Sequence, residues 1–173
     1  MSEGNRLDHK FASGLAIELT RILRPTCERI EIAGSLRRNK PDVGDIEIVC
    51  IPSEMPDLFG EMSRNSFAIT DKLTGYALIK NGEHFKQIDL KYCKCDLFIT
   101  TPECWGVIFM IRTGSADFSH KMVTPKQYGG YMPGHLKVKD GRLWNGSTVV
   151  ETPEEKDIFN AYNMEYIIPE MRR

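Results

Sequence analysis

The chain has 173 residues, of which 41% are hydrophobic and 27% charged, enough for one domain, or two small lobes, around a hydrophobic core. Its 23 basic and 24 acidic side chains leave a formal charge of −1, which argues against a tight, processive DNA-binding protein because no overall basic field attracts a polyanion. The five cysteines are an odd number, and Cys93-Lys94-Cys95 lacks the spacing of a zinc knuckle.

The amino-terminal residues contain no apolar signal-peptide core, and no apolar run approaches the length needed to span a membrane. The sequence therefore predicts a soluble, intracellular protein located in the cytoplasm.

Hydrophobic spacing predicts a mixture of helices and strands in the first hundred residues. Apolar side chains three or four residues apart predict an amphipathic helix over residues 7–23, which ends before Pro25. Alternation predicts a strand over 30–33 and a second strand over 46–51, ended by Pro52. The other elements expected here are a loop with a short helix over 56–64, a strand over 67–70, a hairpin over 76–90 with an Asn81-Gly82 turn, and a strand over 95–100.

The second part of the chain has a helical pattern again. The expected elements are a helix from Pro102 to the Thr113-Gly114 break, a helix from 115 or 116 to 123, a flexible loop over 128–134, a hairpin over 136–144 and a helix over 154–161. Thr152 and Pro153 are typical of an N-cap and a first helical position, and an extended tail should follow that helix. This order predicts an α+β chain with units of 1–103 and 104–173.

Two carboxylates stand at the head of the strand over 46–51. Asp45 and Glu47 are two residues apart, so a strand directs them to the same face. Like charges this close repel each other unless a cation lies between them. Hard cations such as Mg²⁺ take oxygen ligands, and a third carboxylate should come from a neighbouring strand. Asp96 and Asp89 are the candidates, and Asp96 is favoured because it also opens a buried strand.

Phosphate groups would be held by the segment just before these carboxylates. The Gly34-Ser35 turn offers backbone N–H groups and a hydroxyl, and Arg37 or Arg38 adds charge. Gly44 allows close approach of the backbone. Either element alone is more typical of a solvated strand edge or an ordinary loop than of a functional site. Their combination, with a later strand that opens on aspartate, favours Mg²⁺-dependent chemistry on a nucleoside triphosphate.

These residues resemble the signature of a known family. The stretch Gly34-Ser35-Leu36-Arg37-Arg38 … Gly44-Asp45-Ile46-Glu47 is similar to the GS-x-RR … GD-x-D motif of DNA polymerase β-like nucleotidyltransferases, the family X polymerases. The companion matches, in the family's order, are Asp96-Leu97-Phe98-Ile99 … Trp105-Gly106, Thr113-Gly114-Ser115 … Phe118, and Glu154-Glu155 … Ile158-Phe159 … Tyr166-Ile167 … Pro169-Glu170.

The resemblance implies a nucleotidyltransferase palm, a mixed β-sheet flanked by helices, followed by a small C-terminal α/β subdomain. It implies that Asp45, Glu47 and Asp96 are catalytic and bind two Mg²⁺ ions, with Mn²⁺ as a substitute, and that Asp96 assists deprotonation of the primer 3′-hydroxyl. The nucleotide-binding residues that it implies are Gly34, Ser35, Arg37, Arg38, Gly44, Arg112, Thr113 and Gly114.

The chain departs from the family pattern at three places. Glu47 stands where the pattern has Asp, and the extra methylene moves the carboxylate by about 1.5 Å, so that either the backbone shifts or the metal site weakens. Ile111 and Arg112 replace aromatic residues that guard against ribonucleotides in many members, and Val123 replaces a basic residue. About 33 residues precede Gly34, too few for the DNA-gripping modules of larger relatives.

The expected activity is addition of deoxynucleotides to a DNA primer 3′ end, as in gap filling during repair, by a minimal palm-plus-thumb enzyme like those of some viruses and phages. Its expected partners are a nucleoside triphosphate and a primer-template or gapped DNA, with no membrane, for a monomer that an accessory protein would assist. The alternatives are a nucleotidyltransferase of the same fold that acts on RNA or protein, and a catalytically weak module that binds a nucleotide or a partner.

Overall fold

The structure, a computed structural model, describes residues 6–56, 60–64 and 66–173. The chain forms two compact units, Met1–Thr100 and Thr101–Arg173, and each has its own hydrophobic core. The expected division between residues 103 and 104 falls inside a 3₁₀ turn, Pro102–Cys104, at the start of the second unit.

The first unit combines helices with short and long strands. Its elements in chain order are β1 (Leu7–Asp8), α1 (His9–Leu23), β2 (Cys27–Ile32), α2 (Gly34–Arg37), β3 (Asp42–Val43), β4 (Ile46–Pro52), β5 (Glu54–Pro56), β6 (Met62–Arg64), α3 (Phe67–Lys72), β7 (Ala77–Asn81), β8 (Phe85–Asp89) and β9 (Lys94–Ile99).

A five-stranded mixed sheet organises this unit, with the strand order β2-β4-β9-β8-β7. Strands β4 and β9 are parallel, and the other neighbours are antiparallel. The predicted α+β class with a mixed sheet is confirmed. Because β4 and β9 run in the same direction, both strands begin at the same edge of the sheet, where each carries a carboxylate in its first residues or just before them.

Helix α1 covers one face of the sheet. Asp8 caps it by accepting a hydrogen bond from the Phe11 N–H at 3.1 Å, and the buried side chains recur at helical spacing, as predicted. The core side chains that this helix contributes are Ala12, Ala16, Leu19 and Leu23, all at most 1% exposed. None of the helices in the described ranges combines the length and the apolar character needed to cross a membrane.

One lysine belongs to the buried side chains of the sheet. Lys86 on β8 is 2% exposed, and its Nζ donates to Asn81 Oδ1 at 2.6 Å and to the Gly82 carbonyl at 3.2 Å. Burial lowers the pKa of this ammonium. The lysine side chain therefore stabilises the β7–β8 turn through hydrogen bonds to two uncharged acceptor oxygens.

Two sequence predictions in this unit are wrong. The short helix expected over 56–64 is replaced, in its described part, by the antiparallel pair β5–β6, and residues 57–59 lie outside the described residues. Arg64 holds this ribbon through ion pairs with Glu28 and Glu54, contacts between distant positions that a local pattern does not reveal. The strand expected over 67–70 is helix α3, because a short apolar run fits either element.

The second unit packs helices against a small antiparallel sheet. Its elements are α4 (Trp105–Thr113), α5 (Ala116–Val123), β10 (Leu136–Lys139), β11 (Arg142–Asn145), β12 (Thr148–Val150) and α6 (Glu155–Ala161). Strand β12, which pairs with β11, was not predicted. The cap of α6 is Glu154 and not Thr152, because Glu154 and Asp157 form a capping box while the Thr152 carbonyl accepts the Gly106 N–H at 3.1 Å.

The carboxyl-terminal tail is fastened to this unit and is not simply extended, since it contains a 3₁₀ turn before a buried arginine. Arg172 is 0% exposed, and its two terminal nitrogens donate to the Glu155 carboxylate at 2.8 and 3.1 Å. The rings of Phe118, Phe159 and Tyr166 surround its guanidinium with centroids 5.2–5.7 Å away. A bidentate ion pair inside an aromatic cage therefore closes the second core.

Candidate active site at the edge of the sheet

Strand β4 begins directly after Gly44 and Asp45 and carries Glu47 as its second residue. Ile46 and Ile48 are buried in the core on one side of the sheet, so Glu47 points to the other side. Asp45, one residue before the strand, is exposed, and Glu47 is half-buried. The two carboxylates of the sequence motif therefore stand at the beginning of a central strand.

The strand register aligns polar side chains on three neighbouring strands. Glu47 on β4 is paired with Asp96 on β9, and Asp96 is paired with Gln87 on β8. Residues paired directly across strands lie on the same face of a sheet. The Gln87 amide donates to Asp96 Oδ1 at 2.8 Å, which fixes the orientation of this carboxylate. Of the two candidates for a third carboxylate, Asp96 is thus the one beside Glu47.

Asp89 has a local task in the β8–β9 turn. Its Oδ1 accepts the Lys91 N–H at 2.8 Å, and the residue is paired with Lys94 at the end of the ladder. Lys91 has a φ of 68°, and this hydrogen bond supports the turn that contains it.

The charges at this edge interact with one another. Removal of hydration by the surrounding protein raises the pKa of Asp45, and repulsion by Asp96 raises it further, while Arg38 acts in the opposite direction. The Asp45 side chain remains exposed, so solvent screening limits both effects. Burial lowers the pKa of Arg38, and the carboxylates of Glu47 and Asp45 oppose that change. Three acids and one base therefore share one electrostatic environment.

The predicted Gly34-Ser35 turn is a single helical turn, α2, and Gly34 starts it with a φ of 61°. A Cβ atom at Gly34 would overlap the Glu47 carboxylate in its present rotamer, and the positive φ also favours glycine at this position. Ser35 Oγ is buried and has no hydrogen-bond partner among the residues that the structure describes. A buried hydroxyl without a partner is costly, and a ligand oxygen would satisfy it.

The remaining predicted phosphate-binding residues lie close to this turn. Arg37 is the last residue of α2, and Arg38 follows as its C-cap, with its N–H bonded to the Gly34 carbonyl at 3.1 Å. A Cβ atom at Gly44 would meet no atom within 4 Å, so space is open beside the backbone that leads into Asp45. The structure thus gathers the first motif around the start of β4.

Arg112, Thr113 and Gly114 end helix α4 in the second unit. Thr113 is fully buried, and a Cβ atom at Gly114 would overlap Phe118 and Ser119 of the next helix. Ser119 Oγ donates to the Ile111 carbonyl at 2.6 Å, which closes this corner. Packing between two helices therefore accounts for the glycine, and the nucleotide-binding role of all three residues stays a prediction.

Sequence reasoning missed Gln87 as a partner of Asp96. The signal was available, because a tight turn between residues 90 and 93 makes β8 and β9 a hairpin and sets 87 opposite 96. The register between β4 and β9 could not be derived by counting residues outward from a turn, since no short turn joins the two strands.

The donor set fits a hard divalent cation by its chemistry, because Asp45, Glu47 and Asp96 offer carboxylate oxygens only. The positions of these three carboxylates meet the requirements of a metal site less well than their chemistry does. In the described ranges no three acidic, histidine or cysteine side chains converge closely enough to hold a metal ion. Asp45 and Asp96 repel each other across the edge, whereas Glu47 lies over Gly34.

Comparison with family models and with curated proteins adds nothing to the functional argument from the site. No family model matches the chain, and no curated protein matches its sequence.

Proposed function

We propose that the chain is a Mg²⁺-dependent nucleotidyltransferase that adds deoxynucleotides to the 3′ end of a DNA primer, with the first unit as a DNA polymerase β-like palm. The observation that supports this most is the alignment of Glu47 with Asp96 on parallel strands, two residues after Asp45. Like charges are held together at the same edge, although separation would lower their energy. Such an arrangement is typical of sites that work on a cation or a charged substrate.

In this proposal each residue at the edge has a distinct task. Asp45 and Asp96 would hold the cation, and Glu47 would join them by turning away from Gly34. The bound cation would supply charge stabilisation for the phosphates and for the attacking hydroxyl. Asp96, whose Oδ1 is held by Gln87, would accept the proton of the primer 3′-hydroxyl at Oδ2.

The triphosphate would lie against α2 and the residue that follows it. Ser35 Oγ would donate to a phosphate oxygen, which gives the buried hydroxyl the partner that it lacks among the described residues. Arg38 would neutralise part of the phosphate charge. With a net charge of −1, the enzyme would hold DNA weakly and act distributively, as a monomer or with an accessory protein.

A second candidate function is a nucleotide-binding module with little or no catalysis. The observation that favours it is the position of Glu47, whose carboxylate packs over Gly34 and interacts with Arg38. If that contact persists with nucleotide bound, only two carboxylates remain for cations.

Primer extension with matched variants tests the proposal. Gapped and blunt primer-templates are offered with dNTPs or rNTPs and with Mg²⁺ or Mn²⁺, to the wild type, Asp96→Asn and Asp89→Asn. We expect incorporation that falls by at least about a hundredfold in Asp96→Asn and is unchanged in Asp89→Asn. Asparagine at position 89 still offers an oxygen to the Lys91 N–H, so this control preserves the turn.

The contrary outcomes are distinct. Nucleotide binding that ignores metal, without incorporation on any template, supports the binding module. Transfer to RNA or to a protein hydroxyl, but not to DNA, keeps the chemistry and replaces the acceptor. Equal losses in the two variants would remove the assignment of Asp96.

A further inference from the structure

Two exposed aromatic rings of the first unit contact each other. Phe11 in the first turn of α1 and Tyr92 in the β8–β9 turn have ring centroids 5.2 Å apart at an interplanar angle of 84°. They are 42% and 59% exposed. Single exposed aromatic residues are ordinary, but two rings in contact on the surface form a small apolar platform.

The backbone under each ring is held by an aspartate. Asp8 accepts the Phe11 N–H at 3.1 Å, and Asp89 accepts the Lys91 N–H at 2.8 Å, one residue before Tyr92. These two carboxylates thus bind backbone N–H groups, and the rings are presented from fixed positions.

Three lysines lie on the segments that carry or adjoin the two rings. Lys10 and Lys91 are exposed neighbours of Phe11 and Tyr92 in the chain. Lys40 is half-exposed and is held near α1, because His9 bonds through Nδ1 to the Lys40 carbonyl at 2.9 Å. None of these three ammonium groups forms an ion pair with another described residue. The acidic side chains on the same elements are Asp8, Asp42 and Asp89.

The β8–β9 turn that carries Tyr92 lies at the edge of the sheet where β4 and β9 begin. Tyr92 precedes Asp96 by four residues, a separation of at most about 14 Å along the backbone. Cys93, the next residue after Tyr92, has a thiol pKa that is raised by burial and then by the charges of Asp45 and Asp89. The β8–β9 turn therefore lies within electrostatic range of Asp45.

We propose that Phe11 and Tyr92 stack a base of the nucleic-acid acceptor strand, while Lys10, Lys40 and Lys91 contact its phosphates. Every base has a π-face, and alternation of aromatic rings with ammonium groups suits a single-stranded segment. The occupant follows from the lysines that form no ion pair among the described residues, and from the position of Tyr92 at the edge where the carboxylate strands begin. The role as acceptor site rests on the proposed function, but the binding of single-stranded nucleic acid does not.

Fluorescence anisotropy of a labelled single-stranded oligonucleotide tests the platform directly, in EDTA and again in Mg²⁺. Loss of one stacking contact in Tyr92→Ala should weaken binding about 5- to 100-fold, and Tyr92→Trp should retain it. Tyr128→Ala is the matched control, because Tyr128 is 74% exposed in the second unit, and it should bind like the wild type. Lys91→Ala should reduce the salt dependence of binding by about 0.7 in logarithmic slope.

The outcomes separate the two proposals. Asp96→Asn should bind the oligonucleotide normally and transfer nothing. Binding that Tyr92→Ala weakens, in a protein that transfers no nucleotide, supports the platform and contradicts the enzyme. Unchanged binding in Tyr92→Ala, equal weakening in Tyr128→Ala, or no binding by the wild type overturns the platform. Circular dichroism melting of each variant establishes that it is folded.

Discussion

The two compact units differ in the charged side chains that each brings together, a pair of opposite charges in one and a pair of like charges in the other. In the second unit, Glu155 and Arg172 are buried as an opposite pair with two hydrogen bonds between them. In the first unit, the carboxylates of Asp45 and Asp96 repel each other at the edge of the sheet, with Arg38 nearby. The pair is neutralised within the protein, whereas Gln87 and Arg38 only partly offset the repulsion between the like charges. We therefore expect the buried pair to contribute to stability, and we expect the like charges to contribute to cation binding in the proposed function.

The largest effect on stability should come from breaking the buried pair. Glu155→Gln leaves the Arg172 guanidinium buried without its counter-charge, which should cost about 3–5 kcal/mol of the free energy of unfolding. Urea denaturation measures this loss. Tyr166→Phe removes only the hydroxyl that donates to Glu155 and should cost about 1–2 kcal/mol. A cost below about 1 kcal/mol for Glu155→Gln would break the comparison.

A smaller effect is expected at Lys86, a buried charge with neutral partners. Its pKa is lowered in the folded protein, so the folded state is disfavoured while the amine is protonated. Stability of the wild type should therefore rise between the lowered folded pKa and the ordinary value of 10.5, and Lys86→Met should lack that rise. Unfolding in urea at several pH values measures the difference between the two proteins.

Measuring nucleotide transfer by Lys86→Met tests whether Lys86 serves stability alone. The side chain lies on the opposite face of β8 from Gln87, so Lys86→Met should transfer nucleotides at the wild-type rate. A large loss of transfer in a stable Lys86→Met protein would show that a satisfied buried charge also serves the site.

The smallest stability effect should come from Asp45→Asn, and its sign should be opposite to that of Glu155→Gln. Neutralising Asp45 removes its repulsion by Asp96, but exposure and solvent screening limit the gain to about 0.5 kcal/mol or less. Nucleotide transfer should be lost at the same time. Thermal melting and primer extension on the same preparation measure both. Destabilisation by more than 1 kcal/mol, on the order of an average mutation, would assign Asp45 a structural role.

Sequence reasoning succeeded where a short pattern decides the structure. Alternation around Ile46 and Ile48 locates β4, and the spacing of apolar residues locates α1. It failed where distant segments decide. The β5–β6 ribbon depends on Arg64 reaching Glu28, and the burial of Arg172 depends on an aromatic cage drawn from three separate elements.

The candidate site was likewise predictable from the sequence only in part. The residues around β4 could be named because they are contiguous in sequence, from Gly34 to Glu47. The alignment of Glu47 with Asp96 is a parallel pairing across many residues, and only the fold establishes it. The packing of Glu47 over Gly34 was likewise beyond the sequence, because it depends on the rotamer of one side chain.

Binding of Mn²⁺, followed by electron paramagnetic resonance in the presence of a non-hydrolysable deoxynucleoside triphosphate, tests the central claim most directly. The wild type and Asp89→Asn should bind the ion equally, and Asp96→Asn should bind it more than about tenfold more weakly. The free nucleotide, measured alone, sets the baseline. Mn²⁺ binding by the wild type that does not exceed this baseline, or equal binding by the two variants, would contradict a cation site at this edge of the sheet.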